Sequence, residues 1–437
     1  MDREEMRRRA RFIEHEFGRL DFTEVEDLRG TRGKKLWSVE QFSSASIAAH
    51  MSGQKTLDDA EHLTSELSGP IRKAVGVPKR LPDTTLRDYA VKADLDGHRN
   101  QLRKQAKSLH RSKAMRKAPG VTINMISVDG KYEFVKVRAV IAEKCPYFQQ
   151  HGDQEGEYVR GEIRTISTTL VSSRATFYLD LVPVPGKTNE MGTFSDVFAA
   201  IVEDWGNTDL LELVATDSGS ASLANATLVD DSGVGYLMVL DDFQPELMRE
   251  AKRQLGPLSA DQADGFHSER YQGKTVTHRI WRTTEMQGWN GWNHLRQVLR
   301  VERTVSSDDP NEPDKVGTRY FLTNLPVGRL SAEQWLTVVR LRWRVENGAH
   351  WTLDAILDED NHPWTRNPHG LLFFQVLRRV ALNILALYRG VHLRSHKNRA
   401  RPWKRIVDGF LRALREADPQ HLMDRRQLNR DRVAAMT

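Results

Sequence analysis

Residues 340–360 read RLRWRVENGAHWTLDAILDED, and this stretch places a carboxylate, Glu346, in the middle of a predicted helix. Arg342 lies four residues before Glu346 and His350 lies four residues after it. At 3.6 residues per turn, the three side chains share one stripe of the helix. A single carboxylate does not hold a metal ion, so a metal site here requires acidic partners from elsewhere in the chain.

Upstream of this helix, strands and helices alternate, and two aspartates lie at predicted strand ends. Asp129 closes the apolar run VTINMISVDG, and Asp217 follows the buried-type strand in LLELVATDSGS. The order of the elements predicts an α/β fold, a mixed sheet flanked by helices. Ligands of such sheets bind where strands end. We therefore expect Asp129 and Asp217 to lie side by side, with the Glu346 helix crossing the same edge.

Three converging carboxylates form a site for two hard divalent cations, Mg²⁺ with Mn²⁺ as a substitute. Two such ions activate an attacking oxygen and stabilise a leaving oxygen in phosphoryl transfer. Each acid also has a simpler interpretation on its own. Asp129 before Gly130 is a typical turn residue, Asp217 a helix cap, and Glu346 one partner of a surface ion pair.

The composition is that of a soluble protein with a mild positive charge. The 437 residues include 65 Lys and Arg against 59 Asp and Glu, a net charge of +6. The single cysteine excludes an internal disulfide and fits a reducing cytoplasm. The sequence shows neither a transmembrane run nor a signal peptide, so we expect a cytoplasmic, nucleoid-associated protein with no membrane partner.

The strongest charge run lies between residues 99 and 117, where eight of nineteen residues are Lys or Arg. Such a run can follow a DNA backbone, and its position before the first aspartate favours this interpretation. The alternative is a solvated helix face or a linker. The residues that we predict to contact DNA here are Arg103, Lys104, Lys107 and Arg111.

Residues 340–360 also resemble a known family signature. The run R-L-R-W-R-V-E-N-G-A-H-W-T-L-D and the later Glu359-Asp360 are similar to R-x-H-W-x-I-E-N-x-L-H-W-x-L-D-V-x-F-x-E-D of bacterial insertion-sequence DDE transposases of the ISAs type. Further similarities occur in the same order along the chain: VDGK at 128–131, KTNE at 187–190, ATD at 215–217, YFLTNL at 320–325 and LRRVALNILAL at 377–387.

The resemblance implies an RNase H-like catalytic domain with a β-rich insertion before the last catalytic helix, and Asp129, Asp217 and Glu346 as its metal-binding triad. It implies metal-dependent cleavage of double-stranded DNA at transposon ends, strand transfer into target DNA, and a homodimer in a synaptic complex. The predicted divisions are a helical, basic, DNA-binding region (1–118), the first part of the catalytic core (119–256), the insertion (257–330), the glutamate helix with the helix after it (331–390), and a basic helical C-terminal region (391–437).

Some motifs depart from the family pattern. The K-x-N-Q-P expected after the second aspartate reads DDFQP at 241–245, and the H-G-R of the insertion is not recognisable. Two alternatives therefore stay open: a decayed or domesticated relative that binds DNA without cutting it, and an RNase H-like nuclease without strand transfer.

Other side chains are candidates for contacts to DNA. Arg342 and His350 flank the glutamate and can contact the scissile phosphate or hold Glu346 in place. Trp289 and Trp292 lie in the turn-rich GWNGWN of the insertion, where they can stack on an unpaired base. The remaining basic candidates are Arg340, Lys131 and Lys187.

Overall fold

The computed structural model describes residues 2–30, 35–309 and 311–423, except for the side chains of Glu346, Asn347 and Ala349. Within this part of the chain ten strands form one mixed sheet, in the spatial order β2-β3-β1-β5-β6-β10-β9-β8-β7, with β4 paired to β3 beside β2. The strands are β1 Met125–Arg138, β2 Phe148–Gln150, β3 Tyr158–Leu170, β4 Phe177–Pro183, β5 Leu213–Thr216, β6 Gly235–Leu240, β7 Gly265–Tyr271, β8 Lys274–Thr283, β9 Gln297–Ser306 and β10 Lys315–Thr323.

The half of the sheet formed by β1 to β6 has the arrangement expected of an RNase H-like fold. β1, β3 and β4 pair antiparallel in succession, and β5 and β6 then continue the sheet parallel to β1. All six residues of β6 are buried, as are the four of β5, because helices cover both faces of the sheet. The predicted fold class is confirmed.

The insertion extends the same sheet. β10 pairs antiparallel with β6, and β9, β8 and β7 follow outward as an antiparallel series. Three of these strands, β8, β9 and β10, match strands that the sequence predicts in the insertion. The fourth, β7, was not predicted, because its residues alternate polar and aromatic side chains with little burial.

β1 differs from its prediction. The sequence indicated a strand ending at Asp129-Gly130 and a second strand after it, whereas the structure has one strand from Met125 to Arg138. The partner strand β3 pairs with β1 continuously from Leu170 to Tyr158. These long-range backbone hydrogen bonds outweigh the local turn preference of an Asp-Gly pair. Asp129 therefore lies within a strand, not at its end.

Sixteen α-helices surround the sheet in the described part of the chain. They are α1 Arg3–Phe17, α2 Val39–Met51, α3 Leu57–Glu66, α4 Gly69–Ala74, α5 Asp83–Ala90, α6 Leu95–Arg111, α7 Ala139–Ala142, α8 Glu190–Trp205, α9 Leu223–Asp231, α10 Pro245–Leu255, α11 Ala332–Arg342, α12 Trp351–Ala355, α13 Pro368–Leu387, α14 His396–Arg399, α15 Trp403–Glu416 and α16 Pro419–Leu422.

The N-terminal helices pack against the C-terminal ones. α2, α5 and α6 contact α13, and α1 contacts α15 and α16. Every residue of α13 except His369 is buried. The stretch Pro368–His392 is long and apolar enough to cross a membrane by length and composition alone, but it is buried inside the molecule, as the core helix of a soluble protein is. The predicted domain boundaries remain predictions, and residues 424–437 of the last region lie outside the described residues.

The sheet separates two apolar cores. Met125, Leu213 and Leu237 face the smaller core, which α11 covers with the fully buried Trp335. Ile126 and Val128 point to the other face, toward the larger core that includes α8 and α13. Alternation along a strand thereby puts Asp129 on the face of Met125, which is the α11 side.

The predicted long helix after Ser331 is interrupted. Its start is as predicted, with Ser331 as the N-cap in a capping box with Gln334. α11 ends at Arg342, a π-helical turn follows over Val345–His350, and α12 begins at Trp351. A π-helical turn holds more residues per turn than an α-helix, so it interrupts the 3.6-residue period from which the shared stripe of Arg342, Glu346 and His350 was predicted.

Candidate active site

Asp129 and Asp217 are brought together by the parallel pairing of β1 and β5. The register pairs Met125 with Leu213 and Val128 with Thr216, so Asp129 and Asp217 are the next residues of the two neighbouring chain segments. The two aspartates therefore lie on neighbouring segments, at the point where β5 ends and β1 continues.

The π-helical turn meets β1 through His350. The Nδ1 atom of His350 lies 3.2 Å from Oδ2 of Asp129, and both side chains are largely buried. Burial, followed by the positive charges of Arg379 and Lys131, lowers the pKa of His350 to about 3. The ring is neutral near pH 7, so the contact is not an ion pair. His350 thus packs directly against Asp129.

Glu346 belongs to the same π-helical turn as His350. Its side chain, including the carboxylate, lies outside the described part of the structure. The described backbone brings the turn to Asp129 through His350. The convergence of Glu346 with the two aspartates therefore stays a prediction.

The sequence prediction missed a further carboxylate next to this edge, Glu190. This residue opens α8, where Asn189 is the N-cap. A Cβ atom at Gly130 would overlap the Glu190 carboxylate, and a Cβ atom at Gly219 would lie 3.4 Å from both Glu190 Oε2 and Asp217 Oδ1. Burial, followed by the negative charge of Asp217, raises the pKa of Glu190 to about 7. The KTNE motif noted in the sequence ends at Glu190, but the proximity of Glu190 to Asp217 becomes visible only in the fold.

Lys131 is already engaged inside the protein. Its Nζ atom lies 3.0 Å from Glu359 Oε2 and 2.8 Å from Asp360 Oδ1, and it also pairs with Asp354. The side chain is 10% exposed. This position gives Lys131 a structural role beneath the site and does not support its predicted contact with DNA.

The other predicted DNA contacts divide by exposure. Arg342 is buried, Arg340 donates to Glu269 Oε1 at 2.6 Å, and Lys187 is exposed. Trp292 is 2% exposed and Trp289 packs against the core, so neither ring is presented to an unpaired base as the sequence suggested.

The basic run of α6 divides in the same way. Arg103 and Lys107 both pair with Asp204 of α8, and Lys104 pairs with Glu24. The first two side chains join α6 to α8, and Lys104 joins α6 to the segment between α1 and α2, which is the structural alternative to DNA binding. Arg111, at the end of α6, is exposed and has no carboxylate partner among the described residues.

The donors at this edge suit a hard divalent cation, because they are carboxylate oxygens on adjacent segments. Among the side chains that the structure describes, no three Asp, Glu, His or Cys residues lie close enough to surround an ion. Asp129 and Asp217 therefore need at least one more ligand, and Glu346 is the one that the sequence supplies.

Comparison with known proteins identifies the family of this chain. Residues 148–382 match the family model of the transposase DDE domain. The chain is also 25% identical over 238 residues to two Escherichia coli K12 proteins, the "H repeat-associated putative transposase YhhI" and the "Putative protein YbfL". Each alignment covers 52% of this chain and 59% of the relative, so the chain spans about three-fifths of their length. The family match covers more than half of the chain, and the chain belongs to the transposase DDE domain family.

Proposed function

We propose that this protein is an insertion-sequence transposase of the ISAs type that cuts double-stranded DNA at the ends of its element and joins the freed ends to target DNA. One observation carries the proposal above the others. The β1–β5 register supports it by making Asp129 and Asp217 the next residues of two paired segments, and Asp129 lies 3.2 Å from His350 of the turn that carries Glu346.

In this proposal, Asp129, Asp217 and Glu346 hold two Mg²⁺ ions, with Mn²⁺ as a substitute. When bound, such ions activate the attacking oxygen and stabilise the leaving oxygen of an in-line phosphoryl displacement. The neutral His350, whose Nδ1 lies 3.2 Å from Oδ2 of Asp129, restricts the rotamer of Asp129, so one acid is oriented before the ions arrive. The burial of Asp129 limits access of bulk water to that carboxylate.

The DNA contacts proposed here are the basic side chains that remain exposed. They are Arg111 at the end of α6, Lys113 and Arg116 after it, and Lys187 before α8. Lys187 lies three residues before Glu190, whose carboxylate lies near Asp217. Such residues fix the position of a duplex through its phosphates without reading its sequence. Pairing of two element ends requires a homodimer, and we place its action in the cytoplasm, on the nucleoid.

The test is Mg²⁺-dependent cleavage of a plasmid that carries the DNA flanking the coding region. Asp217→Asn keeps the shape of the side chain but removes its charge, so we expect cleavage to fall at least about 10³-fold. Binding to the same DNA, measured by anisotropy without Mg²⁺, should stay within about twofold. The matched control is Asp242→Asn, which changes an exposed aspartate in the loop after β6.

Cleavage by Asp217→Asn at the wild-type rate would remove Asp217 from the site and contradict the proposal. Binding without cleavage by the wild-type protein would instead favour the decayed relative that only binds DNA. Cleavage without joining to a target plasmid would favour the nuclease.

A further inference from the structure

A cavity of about 540 Å³ lies on the other side of the π-helical turn, between α11, α13 and α15. Gly348 and Thr352, from the segment that carries Glu346 and His350, form part of its wall. Five arginines also line it: Arg174, Arg340, Arg344, Arg389 and Arg399. Among the described side chains in its wall there is no aspartate or glutamate. The volume is in the range of small-ligand sites in proteins.

Two of these arginines carry charges that their described neighbours do not neutralise. Arg344 donates to the backbone carbonyls of Val171 and Ser173 at 3.0 and 2.9 Å, and Arg389 donates to the carbonyl of Arg399 at 2.9 Å. Carbonyl oxygens hold the guanidinium groups in place but carry no net negative charge. Because cations inside proteins are normally paired with anions, this wall is suited to binding an anionic ligand.

A second cavity, of about 410 Å³, shares three lining arginines with the first. Arg174, Arg344 and Arg399 line both cavities, and the second one also includes His396. Arg174 is exposed, and neither it nor Arg399 forms an ion pair with a described residue. Three arginines thus lie in the walls of both cavities, which is an arrangement suited to phosphate oxygens.

The first cavity also presents flat aromatic surfaces. Trp343 and Trp403 line it, and the guanidinium of Arg389 lies 4.4 Å from the ring centre of Trp403. The ring of His278 lies 6.1 Å from that of Trp343, in the same wall. Burial, followed by the positive charges of Arg340 and Arg303, lowers the pKa of His278 to about 4, so this ring is neutral near pH 7. Bases stack on such surfaces with little dependence on sequence.

We propose that this cavity binds one unpaired nucleotide, with its phosphate on Arg174, Arg344 and Arg399 and its base against Trp343 or Trp403. The combination of an anion site with aromatic faces fits a nucleotide better than it fits inorganic phosphate or an acidic peptide. The inference rests on the proposed action on DNA, since a strand held at Asp129 and Asp217 passes beside the turn that separates them from the cavity. The same chemistry is offered by the unpaired end of a DNA strand and by a free mononucleotide.

Fluorescence anisotropy of the full-length protein in EDTA tests the proposal without any cleavage. The probes are a labelled duplex with a short single-stranded overhang, the same duplex with blunt ends, and dAMP as a competitor. We expect the wild-type protein to prefer the overhang about tenfold. The double variant Arg174→Ala/Arg399→Ala should lose that preference and still bind the blunt duplex. Arg249→Ala, which removes an exposed arginine on α10, is the matched control and should keep the preference.

Trp403→Leu provides an independent arm, because it removes a stacking surface and leaves every arginine in place. A reduced preference for the overhang in this variant supports the proposed position of the base. Displacement of the overhang by dAMP, abolished in the double arginine variant, identifies a free mononucleotide as a second source of the ligand.

Equal binding of blunt and overhanging duplexes together with no binding of dAMP would overturn the proposal, and so would a preference that survives the double arginine variant. Neither result depends on the carboxylates. Wild-type cleavage by Asp217→Asn, with the overhang preference intact, would refute the proposed catalytic function alone.

Discussion

At the scale of single residues, the site depends on a charged cluster beneath it. Glu359 is fully buried, and Arg378, Arg379 and Lys131 all pair with it. Burial raises the pKa of Glu359, but the three positive charges outweigh that effect and hold it well below its usual value. Lys131 follows Asp129 by two positions in β1, so this cluster anchors the strand that carries the first aspartate. The sequence marked Glu359 only as part of a motif, because its burial depends on α13 packing over it.

Glu359→Gln should lower the free energy of unfolding by about 3–5 kcal/mol, since it leaves buried cations without their anion. Urea denaturation followed by circular dichroism measures this loss. The control is Asp360→Asn, which removes a half-exposed partner of the same lysine and should change the free energy of unfolding by less than about 1 kcal/mol. Equal losses of unfolding free energy in the two variants would show that the stability of the cluster does not depend on Glu359.

At the scale of elements, the sequence predicted what local patterns determine. Ser331 begins its helix as expected, and the buried run of β6 is a strand, because capping boxes and apolar runs are local signals. The length of β1 depends on pairing with the distant β3, and the π-helical turn over Val345–His350 interrupts a continuous helical pattern. Neither feature has a local sequence signal, so the sequence predicted a turn in the first case and a straight helix in the second.

Helix packing also predicts how stability depends on pH. His98 of α6 is buried against α2, where its Nε2 lies 2.9 Å from Ser43 Oγ and its Nδ1 donates to the carbonyl of Asp94. Burial lowers its pKa from 6.5 to about 4. The fold favours the neutral ring, so this contribution to stability is complete above pH 6.5 and is lost as the pH falls through 4.

The wild-type protein should therefore lose on the order of 3 kcal/mol of unfolding free energy over this range relative to His98→Gln, which does not titrate there. Urea denaturation of both proteins at several pH values measures the difference, and the other histidines cancel in the comparison. A difference that is independent of pH would contradict the buried neutral state of His98.

At the scale of the whole molecule, ion pairs engage some of the basic residues of α6 inside the fold. Arg103 and Lys107 are used to hold α6 against α8, whereas Arg111 and the exposed Lys113 and Arg116 beyond it are not. The charge run had two interpretations in the sequence; the structure supports the packing interpretation for Arg103 and Lys107, and DNA binding by the other three stays a prediction. Sequence alone could not make that division, because the acidic partner of the first two residues, Asp204, lies about a hundred positions away.

Replacing Arg111, Lys113 and Arg116 together by alanine should flatten the salt dependence of DNA binding. The magnitude of the negative slope of log K against log salt concentration should decrease by about one for each DNA phosphate that the variant no longer neutralises. Arg103→Ala should leave the slope unchanged and reduce the thermal stability instead. An unchanged slope in the triple variant would assign DNA binding to another surface.

The pairing of β10 with β6 has a mechanical consequence. Four backbone-paired positions, from Tyr320 to Thr323, join the inserted strands to β6, the neighbour of β5. Because those hydrogen bonds run across one uninterrupted sheet, the insertion cannot swing on a hinge relative to Asp129 and Asp217. A force applied by DNA at the outermost β-strand would be transmitted through the sheet to the two aspartates. Any motion that admits or releases a DNA strand has to arise in the helices and connections around the sheet.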